Sequence, residues 1–138
     1  MASFTSDDVV NKLRELKLQY IQESIGADPA RLAHHLAEFL GYATLLYDHY
    51  ATALRNYRQS EAKVTKEENT ARDKHNKEVE SRSDKMTVDE KNDRITIRLS
   101  DLKARREYLE IESKGATLHI NGIQTLLKTW GDEAKGVR

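Results

Sequence analysis

The chain has no cysteine, a single proline, six glycines in 138 residues and no net charge. The missing thiols exclude a disulfide framework, a cysteine nucleophile and a thiolate zinc site. The balance of 23 basic against 23 acidic side chains removes any argument from composition for a nucleic-acid or membrane-surface partner. No apolar run reaches the ~18 residues that a spanning helix needs, so no membrane partner is expected. The polar, acidic opening lacks a signal-peptide pattern, and a cytoplasmic location follows as the expectation. Gly-rich phosphate loops, a nucleophile elbow and a Cys–His arrangement are all missing, so neither an enzyme nor a cofactor is expected. Apolar residues make up only 38% of the chain, low for a globule. A helical hairpin, or an oligomer that completes its core between chains, fits that figure better.

What is present is charge, a third of the residues, and a long apolar period. Leu32, Leu36, Phe39, Ala43, Leu46, Tyr50, Ala53 and Tyr57 recur at alternating steps of four and three, one seam along one side of a helix. Asp28-Pro29 opens that helix with a capping carboxylate and a proline at the first helical position. Upstream, Val9, Leu13, Leu16 and Tyr20 repeat likewise, with Val10, Ile21 and Ile25 widening the stripe. Thr5 or Ser6 can cap this first helix, and Gly26 supplies its stop. Beyond Tyr57 the seam fades to Val64, Ala71 and Val79 among strong helix formers that carry charges of both signs. Ser81–Asp84 weakens the helix. Thr87-Val88-Asp89-Glu90 reads as the capping box of a third one.

Helix 3 carries a second seam: Ile95, Leu99, Leu102, Arg106, Leu109, Ser113, Ala116, Ile120, Ile123, Leu127 and Trp130. Gly115 and Gly122 interrupt it, which predicts a kink, an end, or a close approach by another helix near Gly115. Folding the chain back at about residue 85 sets Ala43 opposite Leu127, Leu46 opposite Ile123 and Tyr50 opposite Ile120. The expected fold is all-α: a long antiparallel, coiled-coil-like hairpin with a short N-terminal helix packed on its apolar end. A single helical domain is expected over residues 1–138, with helices at about 6–25, 29–83 and 88–130. Leu36, Phe39, Leu46, Tyr50, Tyr57, Leu109, Ile120, Ile123, Leu127 and Trp130 form the core or an oligomer seam, and a homo-oligomer is expected.

Charge is uneven along the chain. Residues 1–54 hold four basic and seven acidic side chains, net −3, which leaves nineteen and sixteen, net +3, in 55–138. Lys91, Arg94, Arg98 and Arg105 make a basic stripe on helix 3, with Lys103 and Arg106 nearby. Lys74, Lys77, Arg82 and Lys85 can extend it across the hairpin. Repeated cations of this kind neutralise phosphates along a nucleic-acid strand, and Tyr57 and Tyr108 offer stacking faces to single-stranded bases. The same cations can instead pair with Glu61, Glu67, Glu68, Glu78 and Glu80. His34, His35, Glu38, Asp48 and His49 gather on helix 2 without a Glu-x-x-His or His-Glu-x-x-His pattern, so no metal is expected. Tyr42, Tyr47, Tyr50 and Tyr57 lie on or beside the seam and read as core.

The layout resembles a known family. A short first helix, a Tyr-rich apolar helix running into a Lys/Glu-rich arm, a break before Met86-Thr87-Val88-Asp89-Glu90, and a closing helix ending Ile120-Asn121-Gly122-Ile123-Gln124-Thr125-Leu126-Leu127 resemble the small helical recombination mediators of tailed phages, the UvsY type. The resemblance implies a non-enzymatic, phage-encoded protein that binds single-stranded DNA as a ring-like homo-oligomer. It would help a recombinase displace single-strand-binding protein. Lys91, Arg94, Arg98, Arg105 and the arm lysines would carry the DNA contacts. The alternative is a helical protein-interaction module, a structural spacer or a phage inhibitor of a host defence protein, with no nucleic-acid binding. Mixed charges then serve partner choice and orientation.

Overall fold

The computed structural model describes residues 4–134 and 136; residues 1–3, 135, 137 and 138 lie outside it. The described chain is all-α, with no strand. Helix α1 spans Ser6–Gln22, α2 spans Pro29–Glu78 and α3 spans Val88–Ala134, with short 3-10 turns at Ile25–Ala27 and Arg82–Asp84. Each start has a chemical reason. Thr5 and Asp8 form a reciprocal capping box on α1. The Asp28 carboxylate accepts the Ala30 amide at 3.0 Å, and the Thr87 hydroxyl accepts the Glu90 amide at 3.1 Å; both satisfy amides that no helical carbonyl can reach.

The chain divides into two compact units, residues 1–50 with 109–138, and residues 51–108. The first unit contains α1, the start of α2 and the end of α3. Val9, Val10, Leu13 and Leu16 of α1, Leu32, Phe39 and Leu46 of α2, and Leu109, Ala116 and Ile123 of α3 are buried there. Burying an aliphatic or aromatic side chain contributes roughly 1.5–3 kcal/mol, so this three-helix core supplies most of the apolar stabilisation. The seams of α2 and α3 therefore close on each other within one chain, and the N-terminal helix covers their apolar end.

The second unit is an antiparallel pair of helices joined by the turn. Among its apolar side chains Val64 and Leu99 are the buried ones, together with the carboxylate of Glu68. Polar contacts fasten the turn. The Asn76 side chain accepts the Met86 amide at 2.8 Å and donates to the Met86 carbonyl at 3.2 Å. Arg72 Nε donates to the same carbonyl at 2.9 Å.

Several expectations need correction. α1 ends at Gln22 rather than 25, and its stop is Ser24, which adopts left-handed φ of 48°. Gly26 serves packing instead: a Cβ there would lie 2.8 Å from the Tyr20 hydroxyl, so any larger residue would force that ring to shift. α2 ends at Glu78 rather than 83, and the reversal occupies residues 79–87, around the expected residue 85. The register of the first unit nevertheless differs from the expected one. Ile123 packs with Leu32 rather than Leu46, and His119 meets Phe39. A four-three seam can slide by whole heptads with apolar still facing apolar, so the periodicity alone could not fix this pairing. α3 runs through Gly115 without ending, and a Cβ at that position would meet only the Lys17 ammonium of α1 at an ordinary 3.7 Å, so no close helix approach requires the glycine. Ile21, Tyr47, Ala71 and Leu102, expected inward, are exposed.

Candidate functional site

The basic stripe lies in the second unit, and its cations have partners. Arg94 Nε donates to Glu68 Oε2 at 2.9 Å. The Arg98 fork divides, one nitrogen donating to Glu68 Oε1 at 3.1 Å and the other to Glu67 Oε2 at 2.7 Å. The Glu68 side chain is 4% exposed, and the Arg94 hydrogen bond, then that of Arg98, holds its carboxyl below the usual range against the opposing effect of burial. This is a buried carboxylate satisfied by two guanidinium groups, an arrangement whose first role is to join α2 to α3. Lys91 Nζ donates to Asn69 Oδ1 at 2.7 Å.

Arg106 turns inward over the Tyr57 ring, 4.6 Å from its centroid, and its Nε is buried without a hydrogen-bond partner. Burial, then the hydrogen bond with Glu61, pushes the Tyr57 hydroxyl pKa up. One face of the half-buried Tyr57 ring is therefore taken by Arg106. Arg105 is exposed and likewise engaged. Lys103, Lys74, Lys77, Arg82 and Lys85 are exposed. The expected ten-residue binding set thus divides: Lys91, Arg94, Arg98, Arg105 and Arg106 have partners within the chain, while Lys74, Lys77, Arg82, Lys85 and Lys103 are exposed.

The histidines separate too. His34 reaches Glu38 at 3.8 Å on the surface, and His49 Nε2 lies 3.2 Å from the Phe4 carbonyl. No cluster of three metal-capable side chains occurs among the described residues. His35 is buried and meets His119 of α3, which the sequence did not single out, with the two Nε2 atoms 3.0 Å apart. One proton lies between them, so one ring must donate and the other accept. Tyr20 of α1 stands 5.2 Å from one ring and 5.1 Å from the other, and Phe39 closes the cluster 4.5 Å from His119. Burial, then His35 and then Lys17, lowers the His119 pKa to about 4. His35 is lowered by burial, with Glu38 opposing.

A third feature is an open apolar groove between α2 and α3 of the first unit, bordered by Tyr47, Tyr50 and Leu118. Together the fold and these features define an all-helical protein in which a small set of polar side chains joins its own helices. No protein-family model, curated protein or solved structure matches the chain. Among the described residues no helix is long and apolar enough to cross a membrane.

Proposed function

We propose that the chain is a non-enzymatic helical interaction protein, a module that binds protein partners through helix faces and acts as a homo-oligomer. One observation carries this reading: Arg94 and Arg98, the centre of the basic stripe, are held by Glu67 and Glu68. Both guanidinium groups keep exposed faces, but their charge is already balanced by these carboxylates, so the centre of the stripe offers little net positive charge to a phosphate. The first unit, by contrast, leaves Tyr47, Ile111 and Leu118 more than half exposed, apolar surface suited to a protein partner. Affinity purification tests the reading. One stoichiometric protein partner, a second copy or another chain, retained after nuclease treatment, is expected. Recovery of nucleic acid alone refutes it.

A second reading keeps the recombination-mediator function, with single-stranded DNA, a recombinase and single-strand-binding protein as partners. It draws support from the solvent-exposed Lys74, Lys77, Arg82 and Lys85 beside the turn. Arg94→Glu with Arg98→Glu separates the two. On the mediator reading these changes abolish salt-sensitive binding while helicity survives. On the interaction reading they set acid against Glu67 and Glu68 and loosen the second unit, seen as faster amide exchange around residues 64–99.

A further inference from the structure

In the first unit α2 is apolar on more than the side that meets α3. Leu36, Leu40, Ala43, Tyr47 and Tyr50 recur at steps of four, three, four and three, a second seam that shares Leu36, Ala43 and Tyr50 with the first. α1 occupies the other flank of α2, where Phe4 stacks edge-on against Tyr42 and Tyr20 lies beside His35. The second seam is open: Leu40 is 44% and Tyr47 60% exposed. It borders the groove of about 480 Å³ whose far wall is Ser113, Thr117 and Leu118 of α3.

We propose that a second copy of this chain docks on this face, two α2–α3 pairs joining about a twofold axis in the manner of a four-helix bundle. The inference rests on the interaction reading above and names its surface. Shape supports it first. Bulky Tyr47 and Leu118 stand beside small Ser113 and Thr117, so the face carries its own knobs and holes. Charge supports it second. Glu110 and Lys114, at the border of the groove, pair at 3.1 Å. Two identical faces therefore meet without net repulsion, and each acid can turn to the partner's base.

Light scattering and sedimentation velocity on the full chain test the proposal. The expected mass is about 32 kDa, twice the 15.9 kDa of one chain. Tyr47→Glu with Leu118→Glu, both at exposed positions, should weaken self-association at least tenfold without changing the circular dichroism spectrum. Because the chain lacks cysteine, Ser113→Cys installs a single reporter near the axis. Oxidation should link it into a dimer, while Gln22→Cys on the exposed side of α1 should not link. A monomer at every concentration, or a dimer indifferent to both glutamates and silent in cross-linking, overturns the proposal. A monomer that instead holds a different protein, released by the double variant, overturns the second copy yet leaves the interaction reading standing. Salt-sensitive nucleic-acid binding without any protein contact overturns that reading itself.

Discussion

Acidification should loosen the first unit through the His35–His119 pair, and the size of the effect follows from the structure. The neutral pair shares one proton across 3.0 Å. A further proton creates an imidazolium among Tyr20, Phe39 and the other ring, with Lys17 repelling it from α1 and only Glu38 opposing from α2. The folded pKa of His119 is about 4, below the 6.5 of an unfolded chain. The unfolded state therefore binds more protons between these values, and stability falls as pH falls. For His119 alone the loss between pH 7 and pH 5 is about 2 kcal/mol at most, and partial exposure reduces it. The single tryptophan, Trp130, packs against the Ile25–Leu32–Ile123 cluster and reports this unit. Urea titrations followed by its fluorescence should show the loss at pH 5. His35→Phe with His119→Leu removes both titrating rings together, so no buried donor is orphaned, and flattens the dependence. Equal wild-type stability at the two pH values, or an unchanged slope in the double variant, would refute the assignment.

Three further outcomes follow from the packing. Phe39→Ala empties a site with no solvent exposure and should cost about 3–5 kcal/mol by the same fluorescence assay, whereas Ile97→Ala on the exposed side of α3 should leave stability unchanged within error. Gly26→Ala sets a Cβ against the Tyr20 hydroxyl and should destabilise by about 1 kcal/mol, with most of the loss recovered in a Tyr20→Phe background. Asn76→Ala leaves the Met86 amide without its acceptor and should accelerate amide exchange at residues 79–87 while Trp130 fluorescence stays constant.

Much of the fold was legible because seams and caps are local. Leu32, Phe39 and Leu46 announced the buried side of α2 through spacing alone, and Asp28 and Thr87 marked helix starts through chemistry that needs no distant partner. Pairing was not legible, since a heptad seam tolerates slippage and the turn that selects the register depends on Asn76, Arg72 and Met86 meeting in space. The same gap hid His119, whose significance lies in a ring on another helix. It also hid the fate of the stripe. Arg94 and Arg98 have the spacing of a phosphate-binding face, and sequence alone left open whether Glu67 and Glu68 or solvent would receive them. Gly26 showed a likeness between two different needs: a glycine that frees the backbone and a glycine that makes room read identically in a sequence.

The most direct test of the interaction reading is fluorescence anisotropy with labelled single-stranded and duplex DNA across a salt series, with light scattering on the same sample. With Arg94 and Arg98 joined to Glu67 and Glu68, the expected result is an oligomer that binds neither probe at moderate salt. Tight, salt-dependent binding that prefers the single strand would contradict it and return the mediator function to first place.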